Sequence, residues 1–256
     1  MKGEVDVAHQ MKVNGLRLAA VGVILGTWLY MVGPGGVSPL VLPEIPAVIE
    51  ELIGFLASAE VYGHVAVTMG EILVSLALAG SAGFLVGFWG ARTELRAGVL
   101  EPVLVWWYLV PTILFYPLLL LWFGFGISSK VAYATISAFP PIAFNCLRGF
   151  RRVDLRYINV GRAFGASKQQ LDWVIKLRAG MPMAAAGLKI GAALSMITVI
   201  VAEMLASSRG LGWLIRFYSQ SFNTARTYAI ILVVLMVVGV FLYAVKLILR
   251  EDRFNW

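Results

Sequence analysis

Apolar residues gather along this chain in six continuous stretches, at 16–32, 65–89, 102–123, 131–147, 183–205 and 228–249. Each is close to the about 20 residues that carry a helix across a hydrocarbon core. The runs do not alternate, so they predict helices and not the strands of a membrane barrel. The predicted fold class is an all-α polytopic membrane protein with about six transmembrane helices. The first run follows Lys2, Lys12 and Arg17 and ends at Gly33-Pro34-Gly35-Gly36 with no small-residue cleavage site. It therefore predicts an uncleaved first span and not a signal peptide. Residues 37–60, with Glu44, Glu50, Glu51, Glu60 and several prolines, predict an exposed loop carrying a short helix.

Basic residues give the orientation. There is no Lys or Arg between Arg17 and Arg92, whereas the link between the fourth and fifth spans holds Arg148, Arg151, Arg152, Arg156, Arg162, Lys168, Lys176 and Arg178, opposed by only Asp154 and Asp172. Arg250 and Arg253 follow the last span. Six spans put that link and both termini on one side, which the excess of positive charge marks as cytoplasmic. Arg209, Arg216 and Arg226 run against this trend.

Composition agrees with a bilayer as solvent. The 256 residues are 60% hydrophobic and 14% charged, and mean hydropathy is +0.83; a soluble domain runs nearer a quarter charged. The net charge of +7 is accounted for by cytoplasmic loops, so no nucleic-acid partner is expected. Cys146 is the one cysteine, which excludes an intrachain disulfide, and His9 and His64 are the only histidines. No metal site is expected. No G-x-x-x-x-G-K-[ST] run and no nucleophile–base pair occurs. The chain is thus not expected to be an enzyme, to bind a cofactor, or to hold ATP in a P-loop of its own.

The segment 148–182 is the most informative. Leu155, Ile158, Val160 and Phe164 have a rough helical spacing, Gly165 provides a helix stop, and Ser167 with Gln170 forms a capping box that starts a second helix carrying Leu171, Val174 and Ile175. Pro182 is expected to end the segment and begin the fifth span. The result is a compact helical knuckle. It is either a surface loop packed on its own bundle or a docking element for a cytosolic partner.

The run from Asn159 through Arg162, Ala163, Phe164, Gly165, Ala166 and Ser167 to Pro182 resembles the EAA loop of bacterial ABC importer permeases. It differs at Asn159-Val160-Gly161, where the family has Glu-Ala-Ala, and at Leu177-Arg178, where Leu-Pro is usual; the second helix is then uninterrupted at Arg178. Leu121-Trp122-Phe123-Gly124-Phe125-Gly126 with Ser129-Lys130, Phe139-Pro140-Pro141-Ile142 with Asn145, Val201-Ala202-Glu203-Met204-Leu205, and Gly210-Leu211-Gly212-Trp213-Leu214-Ile215 extend the likeness over roughly residues 40–235. They point to the nitrate, sulfonate and taurine branch. The resemblance implies the type I ABC importer permease fold, one permease domain over 1–256 with its core at about 65–249, and a coupling loop at 148–182. It also implies partners: two cytosolic ATPase subunits that hold ATP and magnesium, a second copy of this permease or a close relative, a periplasmic or lipid-anchored solute-binding protein, and membrane lipid. The expected location is the bacterial cytoplasmic (inner) membrane, and the expected solute a small sulfonate-, nitrate- or organic-acid-like molecule.

Within the spans, Pro111 and Pro117 are expected to kink a continuous third span and free the carbonyls of Trp107 and Ile113. Trp107, Tyr108, Thr112 and Tyr116 lie around these kinks. They serve either packing and an interfacial aromatic belt or a translocation pathway. In the small-residue-rich fifth span, Gly187-x-x-x-Gly191 suits close helix approach, and with the resemblance it places this span at a dimer axis with Ser195 and Thr198 facing the pathway. Glu71 and Glu203 are in-span carboxylates, and such groups face protein or water. They are candidates for a gate or an ion pair, Glu203 with Arg209 or Arg216. The competing reading is a proton-coupled secondary transporter that titrates Glu71 and Glu203.

Overall fold

The computed structural model describes residues 2–249; Arg250 and Arg253 of the basic tail lie outside the described residues. The chain is helical from α1 to α11: α1 (Lys2–Val32), α2 (Ile45–Ala57), α3 (Ala59–Gly90), α4 (Glu94–Leu109), a 3-10 turn (Thr112–Phe115), α5 (Tyr116–Phe123), α6 (Ile127–Arg151), α7 (Leu155–Ala163), α8 (Lys168–Gln170), a π-turn (Leu171–Lys176), α9 (Leu177–Ala206), α10 (Leu211–Gln220) and α11 (Thr224–Ile248). It forms two compact units, residues 2–58 with 216–233 and residues 59–215 with 234–249.

In the first unit, α2 is the short helix expected in the 37–60 loop, opened by Pro46, whose missing N–H costs nothing at a helix start. Trp28 Nε1 donates to Pro43 O at 2.9 Å and its ring meets Tyr228 edge-on at 5.2 Å. Arg226 pairs with Glu51 at 3.0 Å. The span on α1, Val13–Val32, buries none of its residues inside the protein. A helix so apolar and so bare needs an apolar solvent around it.

The second unit is built around α6. This helix packs along α3 and α9, with Ala138, Ile142, Cys146 and Phe150 joined to Ala79 and Phe88 of α3 and Ala184 of α9. A second layer sets Ala134 against Ile72 of α3 and Ala192, Met196 and Val199 of α9. Close approach comes from glycines. A Cβ on Gly87 would sit 2.5 Å from Cys146 Cβ and 2.7 Å from Ala143 O, and one on Gly191 would sit 2.5 Å from Ile142 Cδ1. Gly187 and Gly191 of the fifth span likewise seat α6. Gly87→Ala drives a methyl into backbone and should cost about 1–3 kcal/mol by overpacking; thermal unfolding in detergent micelles, with exposed Gly98→Ala as the control, reads it.

Among the described residues, four helices are long and apolar enough to cross a bilayer, within α1, α3, 168–206 and α11, and the bent pair 94–123 passes the same measure if taken as one span. The expected fourth span, α6, is less apolar because its polar groups point inward: Ser129, Lys130 and Ser137 are buried. Its 25 residues give about 38 Å, enough to cross.

The third span differs from expectation. It is not one kinked helix but two, α4 and α5, bent by 80° at the break. Val110, preceding Pro111, is extended at φ −72°, ψ 127°, the conformation a following proline favours. Neither carbonyl is left free: Trp107 O accepts from Val110 N at 3.3 Å and Ile113 O from Tyr116 N. Pro117 starts α5 and does not interrupt it. Pro182 also lies elsewhere than expected, inside α9, so the second knuckle helix and the fifth span are continuous over 168–206. Gly124, at φ +75°, turns the chain from α5 to α6 in a conformation that only glycine adopts without strain.

Candidate functional site

The second unit carries chemistry in three places. The first is the knuckle. Asp154 caps α7, its side chain accepting from Arg156 N at 2.8 Å and from Arg156 Nε at 2.8 Å. These bonds hold its carboxyl below the usual range, so the cap is in place at neutral pH and lost only as acid protonates Asp154. Gly165 turns the chain at φ +75°. The capping box forms as the spacing requires: Ser167 N donates to Gln170 Oε1 at 2.8 Å and Gln170 N to Ser167 Oγ at 3.3 Å. Beneath the turn, Val153, Ile158 and Leu171 make a small core with Ala166 and Ile175 packed on it. Gly161 lets the two arms meet, for a Cβ there would sit 2.5 Å from Ile175 Cδ1. Of the apolar residues expected on one helical face, only Ile158 enters this core. Leu155, Val160 and Phe164 are exposed, Phe164 at 89%. Arg162, Ala163 and Ser167 are exposed with it.

Arg148 and Arg151 belong to α6, not to a loop, and their opposing charges are on α4. Arg148 donates to Glu101 Oε1 from Nε at 2.8 Å and from Nη2 at 2.6 Å, and Arg151 pairs with Glu94. Sequence counting within 148–182 could not find these acids, which are about 50 residues away.

The second place is the broken span. Trp107 and Tyr108 are exposed. Trp107 stands 5.5 Å from Phe139 and lines an apolar cavity of 320 Å³ with Val110, Phe115, Leu118, Trp122 and Ile136 among its walls. Thr112 Oγ1 and Ser137 Oγ are 2.7 Å apart and share a hydrogen bond. Tyr116 is buried and donates to Ala202 O at 3.2 Å. Ser195 is buried and Thr198 nearly so, with the Thr198 hydroxyl donating to Leu194 O at 2.7 Å. The six pathway candidates therefore divide: Trp107 and Tyr108 open, Thr112 between, and Tyr116, Ser195 and Thr198 inside the unit.

The third place joins the two in-span carboxylates. Glu71 of α3 forms an ion pair with Lys130 of α6, their side chains 1% and 4% exposed. Lys130 Nζ also donates to Ser207 Oγ at 3.1 Å. Glu203 is held by neutral donors, Thr68 Oγ1 at 2.8 Å and Gly212 N at 2.8 Å. Thr68 in turn accepts from Leu211 N at 2.9 Å, and His64 Nδ1 from Gly210 N at 2.9 Å. Lys130, Thr68 and His64 were not among the expected site residues. The available signal was a single lysine between Arg96 and Arg148, matched in number by Glu71 in a neighbouring span.

Residues 83–251 match the family described as binding-protein-dependent transport system inner membrane component. The chain is 28% identical over 241 residues to the taurine transport system permease protein TauC of Escherichia coli, covering 92% of this chain and 86% of that one. It is 30% identical over 248 residues to the putative aliphatic sulfonates transport permease protein SsuC of Bacillus subtilis, covering 95% and 87%. It is 31% identical over 221 residues to the formylaminopyrimidine transport permease protein ThiX of Halalkalibacterium halodurans, covering 85% and 86%. Its fold is similar to a chain of the MetNI methionine ABC transporter solved in an inward facing conformation, with a TM-score of 0.60 at 16% identity over 83% of this chain and 100% of that chain. With the family matched over more than half its length, and full-length permeases similar across nearly all of it, this chain belongs to the binding-protein-dependent transport system inner membrane components, the permease subunits of ABC importers.

Proposed function

We propose that two copies of this chain form the translocation pathway of an ATP-driven importer for a small anionic organic solute of the sulfonate kind. The relatives named for taurine and aliphatic sulfonates support the solute class. An external binding protein delivers the solute, and two cytosolic ATPase subunits supply ATP and magnesium, for which this chain has no P-loop sequence. The observation that carries the reading is the knuckle. Its arms are fixed by a capped turn and a small core, yet its tip presents Val160 and Phe164 to the outside. A rigid mount with an apolar tip transmits motion to a protein that covers it. The knuckle between α6 and α9 and both termini face the cytoplasm, as the basic residues indicate. ATP biases the pathway only through contacts that differ between its inward- and outward-open states.

Glu71 and Glu203 are read as structural and gate-forming, since one is neutralised by Lys130 and the other hydrogen-bonded by Thr68 and Gly212. That arrangement, with ABC permeases as relatives, favours nucleotide over proton coupling. The test is uptake of labelled taurine and ethanesulfonate into vesicles carrying the permease with its genomic-neighbour ATPase and binding protein. Uptake should require ATP and vanish when the ATPase catalytic glutamate is replaced. Uptake driven by a pH gradient without nucleotide would overturn it.

A further inference from the structure

The connection from α9 into the first turn of α10, residues 207–212, is tied down by a row of side chains. Lys130 Nζ donates to Ser207 Oγ at 3.1 Å. Gly210 N donates to His64 Nδ1 at 2.9 Å, Leu211 N to Thr68 Oγ1 at 2.9 Å and Gly212 N to Glu203 Oε2 at 2.8 Å. Three consecutive backbone donors thus end on three different helix-borne side chains. His64 and Thr68 lie one turn apart on α3, so they present their acceptors on one face. The backbone comes so close that a Cβ on Gly210, which stands at φ +103°, would run into the Glu203 carboxylate.

The anchors are not equivalent. The Thr68 hydroxyl does not titrate near neutral pH. Lys130 and Glu203 are buried. His64 is half-buried, and that burial lowers its pKa from the ordinary imidazole range, so the ring charges only once the medium turns acid. A backbone N–H can only donate, so Nδ1 is the bare nitrogen and the neutral ring carries its hydrogen on Nε2. A proton added at Nδ1 sets a donor against a donor, and the bond to Gly210 is lost. The ring itself need not leave. It stacks on Trp213 with centroids 5.2 Å apart and planes at 13°, an arrangement that favours a cation over the indole face. Two charges bear on the ring directly: Glu60, one turn earlier on α3, and Arg209 on the connection itself. Behind them, among the described residues, lie Glu203, Glu71, Lys130 and Tyr116.

We propose that His64 is a proton-operated latch on the 207–212 connection: the neutral imidazole holds Gly210 and the protonated one releases it. The latch is a property of this chain alone; that its release eases opening of the outer end of the pathway rests on the permease reading above. A medium turning acid would then loosen that end while leaving the Thr68–Leu211 bond in place.

Amide hydrogen exchange of the full chain in nanodiscs tests this, read on the peptide covering 207–214 and corrected for intrinsic exchange at each pH. Between about pH 8 and pH 5 the wild-type peptide should lose protection about tenfold, the effect of one hydrogen bond. His64→Asn keeps an oxygen where Nδ1 stood and does not titrate, so its protection should stay high and flat. His64→Gln moves the oxygen to the Nε2 position and should be weakly protected at both values. A wild-type profile that does not change with pH, or a His64→Asn protein that keeps the wild-type fall, overturns the latch. The measurement needs neither ATPase nor solute, so its failure is distinct from a failure of ATP-driven uptake.

Discussion

Lys130→Met should be the most damaging single substitution in the bundle. Lys130 and Glu71 form an ion pair whose side chains are 4% and 1% exposed, between helices that approach closely at Gly83 and Gly87. Methionine keeps the length and apolar stem of lysine, so packing is nearly preserved and the loss is electrostatic. Glu71 is then a carboxylate in a low-dielectric interior without its counter-charge, a cost of about 3–5 kcal/mol. The Ser207 hydroxyl loses its donor as well. The expected result is a sharp fall in folded protein recovered from membranes and in its thermal midpoint. The double variant Lys130→Met with Glu71→Gln removes both charges and should regain most of that loss, because replacing a buried pair is far cheaper than breaking it. Equal stability of the single and double variants would show that the pair does not hold the helices. Glu71→Gln alone leaves a buried ammonium and should fall between them.

That pair also shows where the sequence stops being readable. Local signals were decisive. The capping box at Ser167 and Gln170, the turn at Gly165 and the short helix opened by Pro46 depend on neighbours within four residues, and each formed as its spacing required. Hydropathy located the spans because it averages over a length set by the bilayer. The same averaging hid Lys130. A span boundary drawn at Val131 leaves the lysine outside, and its neutralisation by Glu71 depends on a contact between helices that no window contains. The two prolines of the third span misled for a related reason. Interior proline usually kinks a helix, but two within seven residues let the chain give up the helix at Val110 and satisfy the Trp107 and Ile113 carbonyls in a tight turn. Small-residue spacing in α9 announced close helix approach, and at Gly187 and Gly191 it is Ile142 and Asn145 of α6 that approach. The polar anchors of 207–212 were legible only as residue types; their convergence is tertiary.

Phe164→Ala should leave this chain folded and cost the importer its motor. Phe164 stands at the end of α7 just before the Gly165 turn, 89% exposed, and contributes nothing to the Val153–Ile158–Leu171 core that fixes the knuckle. A large aromatic left bare on a rigid mount, beside Val160, is what an interface anchor looks like before its partner covers it. Truncating such an anchor costs about 2 kcal/mol or more, close to a thirtyfold loss in affinity for the ATPase. Binding of the purified ATPase to the permease in nanodiscs and solute-stimulated ATP hydrolysis measure this, with thermal stability unchanged. Ala166→Glu is a poorer probe, since Ala166 packs on that core and a buried charge there would unfold the knuckle as well as block docking. Gly161→Val makes the complementary case. Its added carbon presses Ile175 and Leu171, prising the arms apart while leaving Phe164 in place. If both variants lose ATPase binding but only Gly161→Val loses protection from proteolysis within 152–176, the tip is the contact and the hairpin its support. Full ATPase binding by Phe164→Ala would move the docking surface off the tip.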